Sequence, residues 1–306
     1  MNATRFVLVI SVAIFVLLSV FSRRHARIYG RWMLLGVAAI LVLAPFVWLL
    51  AAIFKDRVIF DEYLFLPPPS QWSSKTINLD NFRELFRGKP SVHGTVYFWQ
   101  YIINSTVYAT VSTVLNLLFC SLAGFALAKY DFRGKAPLMI FMLGSMTIPS
   151  ALLLAPLYKM VVDLGMVDSL AGLIVPGMVS AYGIFLFRQA CMNVPDEMLD
   201  AGRIDGCSEM AIYFRLVMPL VRPMSAAFCL MTFLGTWNAF FMPNVFLQTQ
   251  KNFTLPIVLY MFISDYQNNY GVFLAGTALA MVPPMILFFA LEKEFISGLT
   301  SGAVKG

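Results

Sequence analysis

The chain has 306 residues, of which 59% are hydrophobic and 12% are charged, and its mean hydropathy is +0.77. Soluble domains carry about 25% charged residues, so this chain, with 28 Phe and 18 Met, has too little polar surface to cover a water-soluble globule. Its four scattered cysteines exclude a disulfide scaffold, and its net charge of +6, which lies between apolar stretches, excludes a nucleic-acid binder. The composition predicts an all-α protein that crosses a membrane several times.

Seven stretches are long enough to cross a membrane, since a helix needs about 20 apolar residues to span the hydrocarbon core. Within them the only formal charge is Arg5, near one end. The first stretch could instead be a signal peptide, but no small-residue cleavage site follows it and the basic run at 23–31 is poorly suited to export. We therefore interpret it as an additional anchor. The predicted spans are residues 3–22, 32–54, 101–128, 136–158, 169–187, 223–243 and 271–291.

Basic residues predict the orientation of these spans, because Lys and Arg in short loops favour the cytoplasmic side. One set of loops holds 13 Lys and Arg residues and the opposite set holds 8. This asymmetry predicts an external N-terminus and a cytoplasmic C-terminus. The basic set consists of 23–31, 129–135, 188–222 and 292–306, and the opposite set contains 55–100, 159–168 and 244–270.

The predicted spans contain no Asp, Glu or His. Proton- and ion-coupled carriers usually place such residues in the membrane, so a secondary carrier is disfavoured, although an ion site made of carbonyls and hydroxyls stays an alternative. An intramembrane enzyme lacks its His/Glu cluster or Ser/Asp pair, and a phosphate-binding G-x-x-x-x-G-K-[ST] motif is missing. We expect no catalytic residue, metal or cofactor in this chain, and an energy source in another polypeptide.

The spans also contain Pro and Gly residues, which break helices and free backbone groups that only a protein interior or a watery cavity can satisfy. Several polar or aromatic side chains accompany them and are candidates for a substrate pathway. The alternative for each is an ordinary interhelical hydrogen bond. A passive anchor would leave this combination unexplained. The candidates are Tyr108, Asn116, Tyr182, Trp237 and Asn238.

Residues 188–222 form the one long charged segment on the predicted cytoplasmic side. Pro195 presets the first turn of a helix, Gly206 ends that helix, and Ser208 caps a second one that runs toward Pro219. We predict a helix–turn–helix elbow lying against the membrane. Its first helix has an apolar stripe opposite Glu197, Asp200 and Arg203. That stripe consists of Val194, Met198, Ala201 and Ile204.

This elbow resembles the EAA loop of binding-protein-dependent ABC importer permeases, in which the loop docks in a cleft of the ATPase subunit and couples ATP hydrolysis to transport. Asp200 stands where the family usually has Glu, and Gly202 where it usually has Ala. The coupling residues implied by the resemblance are Asp200, Ala201, Gly202, Arg203, Asp205, Gly206, Ser208 and Glu209.

The resemblance continues from about residue 78 to the end of the chain. The segments Gly124–Lys135 and Leu164–Ser169 are similar to family motifs, and Trp237-Asn238 with the glycine-rich end resembles the carbohydrate, MalG-like branch. The implied fold is a type I ABC importer transmembrane domain (MetI-like) of about seven spans, with an extra N-terminal helix. Its predicted parts are N-terminal helices 1–54, an external loop 55–100, a core 101–295 containing the coupling loop 195–219, and a cytoplasmic tail 296–306.

The resemblance also implies function and partners. The chain would be a permease of a bacterial or archaeal inner membrane that imports mono- or oligosaccharides, with glycerol phosphate or a polyol as the alternative. Its partners would be a second permease, an ATPase dimer that binds ATP and Mg²⁺, and an extracytoplasmic binding protein. In the carbohydrate branch the tail reaches the ATPase interface, which implies a contact at Gly302 and Lys305; a frayed end is the alternative.

Overall fold

The computed structural model describes residues 23–92, 94–265 and 270–303. The first predicted span, 3–22, and Lys305 lie outside these residues.

The described chain is mostly helical, with one two-stranded antiparallel sheet. In its first half the elements are α1 (Arg23–Ala52), α2 (Asp80–Phe86), β1 (Lys89–Ser91), β2 (Gly94–Val96), α3 (Phe98–Lys129), α4 (Lys135–Ser145), α5 (Leu154–Asp163) and α6 (Leu170–Ile174). The second half contains α7 (Ala181–Met192), α8 (Asp196–Ile204), α9 (Glu209–Ile212), α10 (Met218–Leu220), α11 (Arg222–Trp237), α12 (Phe241–Phe246), α13 (Leu255–Asp265) and α14 (Tyr270–Ala303).

Three described helices are long and apolar enough to cross a membrane, and two bent helix pairs could each supply a further span. The three are Arg27–Ala52, Phe98–Lys129 and Tyr270–Glu294. They confirm the helices predicted at 32–54, 101–128 and 271–291. The helix α14 also continues through the predicted tail as far as Ala303.

Two predicted spans are broken by proline. The span 136–158 consists of α4 and a second arm, Ser150–Asp163, which meet at 97°. Pro149 lies at the break, where its missing N–H and its restriction of the preceding residue oppose a continuous helix. The span 169–187 is not one helix, because α6 and α7 are separated by residues 175–180, which include Pro176 and Gly177.

The predicted span 223–243 also ends earlier than expected. The helix α11 stops at Trp237 and a separate short helix, α12, follows. At its other end α11 bends by 82° from the helical segment Glu209–Leu220. The membrane helix and the second arm of the elbow are therefore consecutive but distinct.

The chain divides into two compact units at residues 81 and 82. In the first unit the chain folds back after α1. The Lys55 side chain is 1% exposed, and its Nζ donates to the Phe60 and Tyr63 carbonyls at 3.1 and 2.6 Å. Asn81 Nδ2 donates to the Ile53 and Lys55 carbonyls at 2.8 and 3.1 Å. These bonds fix the start of the predicted loop 55–100, in which α2 confirms the helix predicted near residues 81–86.

In the second unit, α3 is the central helix and packs most extensively against α7 and α11. Glycine permits this approach. A Cβ on Gly124 would lie 2.6 Å from Phe187 Cβ and 2.7 Å from the Arg188 backbone nitrogen. A Cβ on Gly183 would lie 2.7 Å from the Phe228 ring. Small residues let membrane helices come together closely, so larger ones here would separate α7 from α3 and α11.

The two ends of α3 hold different parts of the chain. Near its start, Asn104 Nδ2 donates to the Lys251 and Phe253 carbonyls at 2.8 and 3.0 Å. At its end, Lys129 contacts Asp196. A helix of 32 residues is about 48 Å long. Residues 251–253 and Asp196, which belong to segments that the basic residues assign to opposite sides of the membrane, therefore lie at opposite ends of one helix.

Candidate functional site

The elbow at residues 195–219 is built by local sequence signals. Pro195 has extended backbone angles and precedes α8, whose first turn carries Asp196 and Glu197. Acidic side chains stabilise the positive end of a helix. Ser208 Oγ accepts a hydrogen bond from the Ala211 backbone N–H at 3.3 Å and starts α9. The predicted pair of helices is confirmed.

The turn between the helices depends on Gly206, whose φ is +77°. The Gly206 N–H donates to the Arg203 carbonyl at 3.0 Å, and the Cys207 N–H donates to the Gly202 carbonyl at 2.9 Å. This pair of bonds is a Schellman motif, which ends a helix with a residue in the left-handed conformation. Glycine adopts that conformation without steric cost, so Gly206 ends α8 as predicted.

The face of α8 that packs inside the chain is not the predicted stripe. Leu199 is 2% exposed and Gly202 is buried, because glycine allows α8 to approach Ile212 and Leu216. A Cβ at position 202 would lie 3.3 Å from Ile212 Cγ1 and 3.0 Å from Leu216 Cδ1. Of the predicted stripe, only Val194 is buried. Four other apolar residues of the elbow face away from the chain. We call them the exposed stripe, and they are Met198, Ala201, Ile204 and Met210.

Three charged residues and a tyrosine hold the two arms of the elbow together. Arg203 contacts Asp200 on its own helix at 2.8 Å and Glu209 on α9 at 2.9 Å. Glu209 also accepts a hydrogen bond from the Tyr130 hydroxyl. The hydrogen bonds from Arg203 and Tyr130 lower the pKa of Glu209. The structure thus brings predicted coupling residues Asp200, Arg203 and Glu209 into one network, while Ala201 and Asp205 stay exposed.

The elbow is attached to the end of α3. The side chain of Lys129 is 6% exposed. Its Nζ lies 2.7 Å from Asp196 Oδ1 and also donates to the Val194 carbonyl. The Tyr213 hydroxyl lies 2.6 Å from Ser121 Oγ. Around these bonds, buried side chains from α3, α7 and the elbow form one apolar cluster. Sequence reasoning did not identify Ser121, Lys129, Tyr130 and Tyr213 as site residues, although the motif Gly124–Lys135 contains two of them.

The candidate pathway residues lie apart from the elbow. Asn116 is 5% exposed, and its Nδ2 donates to the Gly177 carbonyl at 2.6 Å, which satisfies a backbone group freed by the break between α6 and α7. Trp237 is 4% exposed and donates to the Ala280 carbonyl at 3.1 Å. Tyr108 is buried among apolar side chains, whereas Tyr182 and Asn238 are exposed. A role in the pathway stays a prediction for all five.

A polar latch lies at the other end of α3. Asp168, with φ +57°, accepts hydrogen bonds from the backbone N–H groups of Gln248 and Thr249 at 2.8 and 2.9 Å and from the Thr249 hydroxyl. Partial burial raises the pKa of this carboxyl, but these bonds outweigh it and lower the pKa to about 2. Ser105 Oγ accepts from the Leu255 N–H at 2.7 Å. These contacts fix residues 248–255 of the predicted external segment 244–270 on the helical core.

Residues 120–295 match the family model described as a binding-protein-dependent transport system inner membrane component. The arabinooligosaccharides transport system permease protein AraQ of Bacillus subtilis (strain 168) is 40% identical over 232 residues, which cover 76% of this chain and 80% of AraQ. The lactose transport system permease protein LacG of Rhizobium radiobacter is 30% identical, over 92% of this chain and 98% of LacG.

The fold has a solved counterpart. A chain in the crystal structure of a bacterial ABC transporter involved in the import of the acidic polysaccharide alginate superposes with a TM-score of 0.75. The alignment covers 89% of this chain and 98% of that chain, at 21% sequence identity. The predicted fold class, an all-α transmembrane domain of a type I ABC importer, is confirmed.

Proposed function

Because the chain belongs to the family of binding-protein-dependent transport system inner membrane components, we propose that it forms half of the translocation pathway of an ATP-driven oligosaccharide importer. Its partners are a second permease, an ATPase dimer that binds ATP and Mg²⁺, and an external binding protein. Membership in this family separates the chain from ion-coupled carriers, which its charge-free spans also disfavour.

The proposed substrate is an oligosaccharide. AraQ and LacG carry the names of oligosaccharide and lactose transport systems. The predicted external segments contain 8 basic and 8 acidic residues, so they create no strong positive field that would select an anion. This balance favours a neutral sugar over glycerol phosphate, which is the second candidate.

The elbow is the proposed contact with the ATPase. Ile204 is 86% exposed and Met210 is 57% exposed, on a segment that buries Leu199, Ile212, Tyr213 and Val217 in the cluster with α3. Exposed apolar patches on well-packed elements mark interaction sites. The exposed stripe would occupy a cleft of the ATPase, with Gly206 at the closest approach.

The attachment of the elbow to α3 is the observation that carries this proposal. Lys129, Tyr130 and Ser121 join α3 to both arms of the elbow, and the opposite end of α3 holds segment 248–255 through Asn104 and Ser105. A displacement of the elbow by the ATPase would therefore reach the external end along one continuous helix. The predicted loop 55–100 would meet the binding protein on that side.

Two glycines with positive φ allow a matched test of coupling. Gly206→Val places a branched side chain at φ +77°, and Gly134→Val places one at φ +90° in the turn between α3 and α4. Both lie on the proposed cytoplasmic side and have open space around them. In the reconstituted transporter, the position-206 variant should lose transport while ATP hydrolysis continues. The position-134 variant should keep the wild-type ratio of transport to hydrolysis, and equal ratios in both variants would contradict the assignment.

The substrate assignment has a separate test. The transporter with its binding protein would be reconstituted in vesicles and supplied with labelled arabinooligosaccharides, galactooligosaccharides, monosaccharides or glycerol phosphate. We expect ATP-dependent uptake of at least one oligosaccharide. Uptake of glycerol phosphate alone would replace the oligosaccharide proposal and leave the coupling proposal intact.

A further inference from the structure

A second site lies between α3, α4 and α7, near the end of α3 that carries the elbow. Here the three helices border a groove of about 390 Å³ that is open to the surroundings. Among its described lining residues only Ser145 has a polar side chain, and that hydroxyl donates to the Met142 carbonyl at 2.6 Å. The lining is therefore chemically equivalent to hydrocarbon. Its main side chains are Ala126, Leu127, Phe132, Leu138, Phe141 and Ile184.

Arg188 lies one helical turn beyond Ile184 on α7, in the direction of the elbow. Residues four apart are neighbours on one helix face, so Arg188 follows Ile184 on the face of α7 that borders the groove. The base of Arg188 lies where α3 and α7 approach most closely, because Gly124 faces its backbone nitrogen. The backbone of Arg188 is thus fixed by packing next to the apolar groove.

The guanidinium group of Arg188 makes no ion pair within the described residues. Its Nε is buried and has no hydrogen-bond partner within the described residues. An unpaired buried donor costs free energy. The planar fork of arginine fits phosphate oxygens particularly well. The chemistry of this position therefore points to a phosphate-bearing ligand.

The neighbouring charges also favour an anion. Lys129 is committed to Val194 and Asp196, and Lys135 contacts Asp131 at 3.1 Å. Arg133, which follows the lining residue Phe132, is exposed and makes no ion pair within the part of the chain that the structure describes. Within the described residues, Arg188 and Arg133 thus accompany the groove without an ion-pair partner.

We propose that this groove binds an anionic phospholipid of the cytoplasmic leaflet, with an acyl chain between α3, α4 and α7 and its phosphodiester on Arg188. Only a membrane lipid joins a hydrocarbon chain to a phosphate at this depth. Basic pockets between membrane helices on the cytoplasmic side bind anionic headgroups. The site is separate from the elbow's contact with the ATPase and does not depend on the transported substrate.

Measuring lipid binding to the complete, purified transporter tests whether the charge of Arg188 contributes to the site. After delipidation in detergent, phosphatidylglycerol would be titrated and its binding measured by native mass spectrometry. We expect Arg188→Gln to weaken binding about tenfold, which corresponds to about 1.4 kcal/mol. Arg215→Gln removes an equal charge from an exposed position on the second arm of the elbow, on none of the helices that border the groove, and should leave binding unchanged. Equal affinities of the wild type and the Arg188→Gln variant would overturn the proposal.

A second variant and two controls test the groove without altering the charge. Ile184→Trp fills the groove and should weaken phosphatidylglycerol binding to a similar extent. Millimolar inorganic phosphate should not compete, and full competition would reduce the site to a simple anion site. A photoreactive phenylalanine at position 141 should label lipid. Labelling of the second permease instead would show that a protein helix occupies the groove.

Discussion

The Tyr213 hydroxyl lies 2.6 Å from Ser121 Oγ inside the apolar cluster that joins the elbow to α3. It is the one side-chain hydrogen bond that this buried tyrosine makes within the described residues, and it joins the second arm of the elbow to the last third of the central helix. Because both groups are buried, loss of one partner leaves the other without compensation from water.

We predict that Tyr213→Phe destabilises the transporter by about 1 kcal/mol, the usual net value of such a bond, and lowers the ratio of transport to ATP hydrolysis. Thermal unfolding and a coupled transport assay would measure the two effects. Tyr101→Phe is the matched control, because the Tyr101 hydroxyl makes no hydrogen bond within the described chain and the residue lies at the opposite end of α3. An equal loss of coupling in both variants would contradict a specific role for Tyr213.

Lys129 and Asp196 form an ion pair in which only one partner is buried. The Lys129 side chain is 6% exposed and that of Asp196 is 78% exposed. Exposed charges contribute about 0–1 kcal/mol to a pair, whereas removal of Lys129 also leaves the Val194 carbonyl unpaired. We predict that Lys129→Met lowers coupling and thermal stability clearly more than Asp196→Asn. Equal effects of the two substitutions would mean that the ion pair, and not the carbonyl bond, holds the elbow.

A side chain at position 202 would have two opposing effects on the stability of the elbow. Alanine would gain up to about 1 kcal/mol of helix propensity, but its Cβ would lie 3.0 Å from the end of Leu216. That flexible side chain can shift by a few tenths of an ångström, so we predict that Gly202→Ala is tolerated within about 1 kcal/mol and remains coupled. Gly202→Leu should destabilise the elbow by more than 1 kcal/mol, because overpacking displaces neighbours. Thermal unfolding of both variants measures this difference, and a large loss in the alanine variant would contradict it.

The Asp168 latch predicts a pH dependence at the proposed external end. The pKa of Asp168 is lowered to about 2 from an ordinary value of about 3.9. Its hydrogen bonds therefore add stability above about pH 4, and this contribution is lost as the pH falls toward 2. After discounting for solvent screening, the contribution is on the order of 1 kcal/mol.

Asp168→Asn should lower the unfolding temperature at pH 7, and the difference from the wild type should shrink at pH 3. Asparagine also tolerates the left-handed backbone of this position, so the substitution changes mainly the charge. Asp163→Asn, which removes an exposed i,i+4 pair with Lys159, serves as the control and should have little effect. A difference for position 168 that stays constant with pH would contradict the titration of this carboxyl.

The elbow could be predicted from the sequence because its boundaries depend on local chemistry. Pro195, Gly206 and Ser208 act within one turn of their own positions. The buried face of α8 could not be predicted in this way. Apolar periodicity identifies Met198 and Ile204, but the inner face is chosen by Gly202, whose missing Cβ admits α9.

The breaks in the membrane helices show a similar limit. Pro149 and Pro176 are visible in the sequence, yet hydropathy alone joins the residues on either side into single spans. Whether a helix breaks at such a proline depends on tertiary contacts. For example, Asn116 on α3 donates to the Gly177 carbonyl, which the break between α6 and α7 leaves without a helical partner. The use of Lys129 and Tyr213 as attachments also depends on residues 67 and 92 positions away in the chain, and no local pattern indicates such partners.

The proposed contact is that of the exposed stripe of the elbow with the ATPase. It is tested most directly by introducing Ile204→Cys into a chain whose four native cysteines are replaced by alanine, and measuring its labelling by a thiol reagent in inside-out vesicles with and without the ATPase subunit. Asp131→Cys, fully exposed in the turn between α3 and α4, is the control on the same side. We expect the ATPase to protect position 204 and to leave position 131 reactive. Equal labelling of position 204 with and without the ATPase would contradict it.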